Sequence, residues 1–159
     1  MPLNYEIDNV DLKILEILMK NAKKPYTEVA KQVYVSGGTV HVRMRKLEET
    51  GIVDGTTLNI NYAKLGYDIT VFVGIFLAKS ALYDDVISQL KMIPEITNIH
   101  YTTGNYSMFV KMHCLDTQHL KDVLHDKIQK VEGVVRTDTM ISLEESVNRN
   151  LKLNVNTKP

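Results

Sequence analysis

Between Thr70 and Ala78 the chain places Val71, Val73, Ile75 and Leu77 at alternate positions, with Phe72 and Phe76 between them. Successive side chains of a strand point to opposite faces of a sheet, so a strand built from this run is apolar on both. It therefore needs two covers, and that need limits the fold more than any other stretch of the chain. The flanking sequence supplies one of them. Ser80 can cap a helix in which Leu82, Val86 and Leu90 stack before Pro94 forbids continuation. Residues 96–103 and 107–114 read as two strands joined through Gly104-Asn105-Tyr106 as a hairpin. Asp116 or Thr117 then caps a helix with Leu120, Leu124 and Ile128 on one face, closed near Gly133, and residues 134–143 give a last alternating strand. Strand-helix-strand twice over predicts a ferredoxin-like βαββαβ unit, an antiparallel sheet with its helices on one face. The second cover is then another copy of the chain, which makes a homodimer the expected minimum assembly.

The N-terminal part has a different period. Asp8 can cap a helix over residues 9–20, with Ile7, Val10, Ile14 and Leu18 on one face and Leu15 beside them. Thr27 can cap a second helix that buries Val29, Ala30 and Val33, and Ser36 a third that buries Val40, Met44 and Leu47, with Gly51 as its stop. Three short helices with a tight turn before the third predict a helix-turn-helix. The chain is thus expected to be α+β, with a winged helix-turn-helix domain over residues 1–55 and a linker strand over 56–67. A ferredoxin-like ligand-binding and oligomerisation domain over 68–147 and a polar tail over 148–159 complete it.

The third helix carries the charge pattern that points to function. Arg43, Arg45 and Lys46 stand in a stretch with no acidic residue before Glu48, on a chain of zero formal net charge. Lys and Arg equal Asp and Glu over residues 1–56 as well, eight of each, so phosphate affinity must come from arrangement and valency rather than bulk charge. The expected DNA-contacting residues are Ser36, Gly37, Gly38, Thr39, His41, Val42, Arg43, Arg45 and Lys46, which offer donors to phosphates and base edges, with Val42 placed to touch a thymine methyl. Arg43 has a second reading, as a support of the fold through a carboxylate. No apolar run is long enough to span a bilayer, no signal pattern opens the chain, and Cys114 is a lone cysteine, so a cytoplasmic protein is expected.

The runs Ile7-Asp8-x-Val10-Asp11-x-x-Ile14-Leu15-x-x-Leu18 and Val40-x-x-Arg43-x-x-x-Leu47-Glu48-x-x-Gly51-Ile52-Val53 resemble the opening helix and the recognition helix of the Lrp/AsnC, or feast/famine, transcription regulators. The resemblance extends from Ile7 to about Leu143. It implies an ACT/RAM-type second domain, binding to double-stranded DNA, assembly into dimers and on to tetramers or octamers, and an amino acid as effector. Thr103-Gly104-Asn105-Tyr106 falls at the family's glycine turn, near which an effector binds between dimers. On that basis His100, Tyr101, Thr102, Thr103, Gly104, Asn105, Tyr106, Ser107, Asp138 and Thr139 are the candidate effector residues. Polar residues of a hairpin also simply meet water, and the sequence leaves both readings open. Two positions depart from the family pattern: Ser107 stands where an aspartate is frequent, and Tyr34 where a glycine is common.

His113, Cys114, His119 and His125 fit neither a compact zinc motif nor one helical face, so no metal and no cofactor is expected. No nucleophile elbow, phosphate loop or paired carboxylates at a recognisable spacing point to an enzyme. Two rival readings are a tetrapyrrole decarboxylase of the same two-part plan and an assembly module that does not bind DNA.

Overall fold

The computed structural model describes residues 5–153. Helix α1 spans Asn9–Lys20 and begins where Asp8 accepts hydrogen bonds from the Val10 and Asp11 N–H groups. Asp11 completes a capping box by accepting from Asp8 N–H at 3.0 Å, and Ile14 and Leu18 turn inward. Helix α2 spans Tyr26–Val33 and buries Val29, Ala30 and Val33. Thr27, expected as its cap, lies inside the helix instead. Pro25 holds the cap position, with φ of −58° already fixed by its ring and its carbonyl accepting from Glu28 and Val29, so the helix starts before Thr27 is reached.

Tyr34 ends α2 in the left-handed conformation (φ 58°, ψ 45°), a geometry that costs a residue with a Cβ roughly 1–2 kcal/mol. Helix α3, Gly37–Glu49, starts at Ser36, whose Oγ accepts from Thr39 N–H, and Gly51 at φ 73° turns the chain away. Val40, Met44 and Leu47 complete one core with the buried residues of α1 and α2.

Residues 54–61 carry no strand ladder, so the linker strand expected over 56–67 is absent among the described residues; a strand needs a partner backbone, and none is paired there. A single 3-10 turn, Ala63–Leu65, stands in its place, with Asn61 accepting from Lys64 N–H and Gly66 closing it at φ 89°. The chain divides into two compact units, residues up to 59 together with those from 147 onward, and residues 60–146. In the first unit, the Asn150 side-chain amide donates to the Met19 carbonyl in the last turn of α1 at 3.0 Å. Residues 154–159 of the expected tail lie outside the described residues.

The second unit runs β1 (Ile69–Leu77), α4 (Tyr83–Leu90), β2 (Ile96–Tyr101), β3 (Met108–Cys114), α5 (Thr117–Asp122) and β4 (Val134–Ile141). Its sheet has the order β2-β3-β1-β4 with every pairing antiparallel, the ferredoxin-like arrangement. Val71, Val73 and Ile75 face a core shared with Val86, Leu90, Met108, Val110, Met112, Leu120, Val123 and Ile128. Ser80 does not cap α4; a 3-10 turn, Ser80–Leu82, precedes it and no side chain bonds its first turn. Asp116 does cap α5. Beyond α5 a π turn, Val123–Lys127, widens the spiral; Leu120, Val123 and Ile128 are buried, and Leu124 packs half-buried against the same core.

No helix of the described residues packs on the opposite face of the sheet. Phe72 stacks on Phe109 there with ring centroids 5.7 Å apart, and Arg136 lies 4.1 Å from the Phe76 ring. Tyr106 reaches from the hairpin across Gly74: a Cβ at Gly74 would stand 2.5 Å from its ring, so only glycine fits beneath it.

Candidate nucleic-acid interface and effector hairpin

Burying Val40, Met44 and Leu47 turns the opposite side of α3 outward, and His41, Val42, Arg45 and Lys46 are exposed on it. Arg45 makes an exposed ion pair with Glu49, four residues on, at 3.5 Å, a contact too weak to hold the guanidinium. The Lys46 ammonium lies 5.6 Å from the Tyr5 ring, and His41 stands 6.0 Å from the ring of Tyr26. Ser36 and Thr39 are engaged with each other, Oγ to Oγ1 at 2.8 Å, in addition to the cap bond. Gly38 is open, whereas Gly37 lies against Thr27, where a Cβ would meet the Thr27 methyl at 3.5 Å. A cleft of about 550 Å³ runs along this side, walled by Tyr5, Asp8, Thr39, Val42 and Lys46.

Arg43, counted above among the DNA contacts, is tied to the fold. Its Nη1 donates to Asp8 at 2.7 Å and to Asp11 at 2.8 Å, and Asp11 is fully buried. Tyr5 donates its hydroxyl to the other Asp11 oxygen at 2.9 Å. A buried carboxylate needs such donors, and the guanidinium supplies the compensating charge. The hydrogen bonds it donates to Asp11 and Asp8, against the opposing effect of burial, hold the Arg43 pKa above its ordinary value. Burial opposes ionisation of Asp8, but bonds from Asp11 N–H and Arg43 outweigh it and keep that carboxyl below the usual range. The clamp fixes α3 against the start of α1 and so sets the direction in which the basic face points.

The effector candidates do not form one cluster. His100 pairs with Phe109 on the helix-free face, whereas Tyr101 turns to the helix side, its ring 4.5 Å from that of Tyr83. Asp138 pairs with Gly74 and Thr139 with Val73, so strand alternation puts these neighbours on opposite faces too, and Asp138 is held by Arg136 at 2.8 Å. Thr102 donates its hydroxyl to the Tyr106 carbonyl, and Ser107 Oγ accepts from Leu77 N–H at the end of β1. Both polar side chains therefore bond the backbone of their own hairpin and sheet. Thr103, Gly104 and Asn105 form its exposed tip, with Gly104 at φ 103°.

The histidines lie apart. His113 stacks on Tyr62 at 4.6 Å, with Nδ1 beside the Thr70 hydroxyl. His119 joins Glu95, and His125 joins Asp126. Cys114 is buried, and that burial pushes its thiol up to about 11.

Sequence reasoning offered Arg43 a carboxylate as its second reading, which Asp8 and Asp11 bear out, but it named neither them nor Tyr5 as partners. The signal for Asp11 was available, because it lies three residues before Ile14 and seven before Leu18, on the buried side of α1. It also missed Glu95, a hub that takes Lys127 at 2.6 Å and His119 at 3.1 Å on one oxygen while the other is buried without a partner among the described residues. Nothing in the run Ile93-Pro94-Glu95 marks that role.

Two family models match the chain, a winged helix-turn-helix DNA-binding domain over residues 7–54 and the Lrp/AsnC ligand binding domain over residues 70–151. The regulatory protein AsnC of Escherichia coli is 42% identical over 149 residues, covering 94% of this chain and 98% of its own. The HTH-type transcriptional regulator LrpA of Pyrococcus horikoshii is 34% identical, covering 87% and 98%. The solved structure of E. coli AsnC superposes with a TM-score of 0.89 over 94% of this chain and all of that one, at 40% identity. A feast or famine regulatory protein of M. tuberculosis, complexed with L-methionine, superposes at 0.83 with 26% identity, over 89% of this chain and 95% of its own. These relatives are named as regulators, which favours that reading over a tetrapyrrole decarboxylase. A helix-turn-helix, a ferredoxin-like unit and two matching family models over most of the length place this chain in the Lrp/AsnC family of transcription regulators.

Proposed function

We propose that the first unit binds double-stranded DNA with α3 in the major groove, and that His41, Val42, Arg45 and Lys46 are the side chains that read or grip it. The observation that carries this reading is the exposed basic face of α3, held in direction by the Arg43 clamp. Gly38 leaves room for a phosphate at the start of the helix, and Ser36 and Thr39 flank it. The protein acts as a regulator in the cytoplasm and carries out no covalent chemistry of its own.

The helix-free sheet face, with Phe72, Phe76, Tyr106 and Phe109, is the surface through which two copies pair, and dimers assemble further into tetramers or octamers. A small effector of the amino-acid class biases that assembly and through it the affinity for DNA, since a ligand shifts an equilibrium only by its unequal affinity for the two states. The methionine-bound relative supports the class, and His100, Tyr101, Thr139 and the hairpin tip at Thr103–Asn105 are the exposed members of the candidate set.

The test is a gel shift with DNA enriched by the protein from a random-sequence pool, repeated over a range of salt. Log affinity should fall linearly with log salt, and Arg45→Ala or Lys46→Ala should each weaken binding and reduce the slope by about 1. An unchanged slope in both variants removes α3 as the phosphate-gripping element. A thermal-shift screen of the twenty amino acids, with light scattering on any hit, tests the effector; stabilisation with no change in mass would contradict control through assembly.

A further inference from the structure

Among the described residues Tyr34 is the only non-glycine with a positive φ, and its side chain is 94% exposed. A glycine would hold this left-handed turn without strain and an asparagine with little. A tyrosine persists in it where something compensates, yet among the described residues the phenol has no hydrogen-bond partner and no ring contact. The turn itself is built by backbone alone, with the Tyr34 and Val35 N–H groups both donating to the Ala30 carbonyl. Among the described residues the side chain adds nothing to the fold, which turns attention to a partner as what compensates the strain.

Position identifies the partner. Tyr34 stands two residues before Ser36, the cap of α3, which puts its Cα within about 7 Å of the first turn of that helix. Tyrosine is suited to a sugar-phosphate strand, with an apolar ring for the deoxyribose and a hydroxyl for a phosphate oxygen. We propose that Tyr34 is a backbone clamp on DNA: its ring lies against the deoxyribose of the strand bordering the groove that α3 enters, and its hydroxyl donates to the adjoining phosphate. This rests on the DNA-binding reading above and adds to it a contact that is uncharged.

That property makes the clamp separable from the basic face. A neutral donor releases no condensed counterion, so removing it lowers affinity without altering the salt slope. The experiment measures, for the full chain, thermal unfolding and the dissociation constant for pool-enriched double-stranded DNA over a range of salt. Tyr34→Gly and Tyr34→Asn should raise the unfolding temperature by relieving the turn, while weakening DNA binding roughly tenfold, the worth of one hydrogen bond to a charged acceptor. The salt slope should stay that of the unaltered protein, in contrast to Lys46→Ala. Tyr34→Phe keeps the ring and should recover part of the loss.

Wild-type affinity in both the Gly and Asn variants overturns the proposal and leaves the reading of α3 intact. A loss accompanied by a lower mass in light scattering also overturns it, since the ring would then be an assembly contact. If the unaltered protein enriches no DNA from the pool, the reading of α3 falls and this proposal falls with it.

Discussion

Replacing Arg43 with methionine isolates the clamp from any direct role on DNA. The substitution keeps most of the side-chain length but leaves Asp11, fully buried, with only the Tyr5 hydroxyl at 2.9 Å and the Asp8 N–H at 3.0 Å. Removing one partner of a buried ion pair costs about 3–5 kcal/mol, because the remaining charge is left uncompensated. Two donors stay and the Arg43 side chain is 25% exposed, which admits water, so about 3 kcal/mol is the better figure. A unit of about 60 residues is stable by roughly 3–9 kcal/mol, so the change removes a third or more of its stability. The assay is native-state hydrogen exchange of the α1 and α3 amides, which reports on the N-terminal unit by itself. Asp11→Asn in the same background removes the orphan charge. The double variant should therefore exchange more slowly than the sum of the single losses predicts, by about 1–2 kcal/mol of coupling. A guanidinium that only contacted phosphate would leave exchange in the free protein unchanged. Protection within about 0.5 kcal/mol of wild type in Arg43→Met, or strict additivity in the double variant, would refute the clamp.

Gly74→Ala tests the seat of Tyr106. The new methyl displaces the ring from its contacts with Phe76 and Phe109, at about 1–3 kcal/mol, against at most ~1 kcal/mol gained from a stiffer unfolded chain. A rise in unfolding temperature would show that the ring does not sit there. Stability should also respond to pH in two windows. The His113 pKa is depressed, first by burial and then by Lys111, so the unfolded chain takes up a proton that the folded one refuses; stability is complete above about 6.5 and falls below it. Burial opposes ionisation of Glu95, but Lys127, its own N–H and His119 outweigh that and hold it low, so a second loss begins below about 4.5. Denaturant titrations at stepped pH should show both, and His113→Gln should abolish the upper one while leaving the lower; a profile flat between pH 7 and 5 would contradict the first.

Much of this fold was legible because local chemistry and packing agree. Asp8 and Ser36 are short acceptors placed before amphipathic runs, and both cap helices as their positions imply. Thr27 has the same chemistry but follows Pro25, whose fixed φ starts the helix earlier. Val123 joins Leu120, Leu124 and Ile128 at the core unforeseen, because a π turn has no signature in the spacing of apolar residues. At the candidate site, the exposure of Val42, Arg45 and Lys46 follows from period alone, whereas the bonds of Arg43 join residues more than thirty positions apart. The effector set failed to converge for a simpler reason. Neighbours along a strand point to opposite faces, so His100 with Tyr101, and Asp138 with Thr139, were never able to line one surface.

The bond from Asn150 to Met19 has a topological consequence. With its last described residues grouped with the N-terminal unit and Asn150 bonded to Met19, the chain leaves that unit and comes back, so in sequence the sheet unit is an insertion within it rather than an appendage. Two covalent crossings join the halves where a bead-on-a-string arrangement would have one.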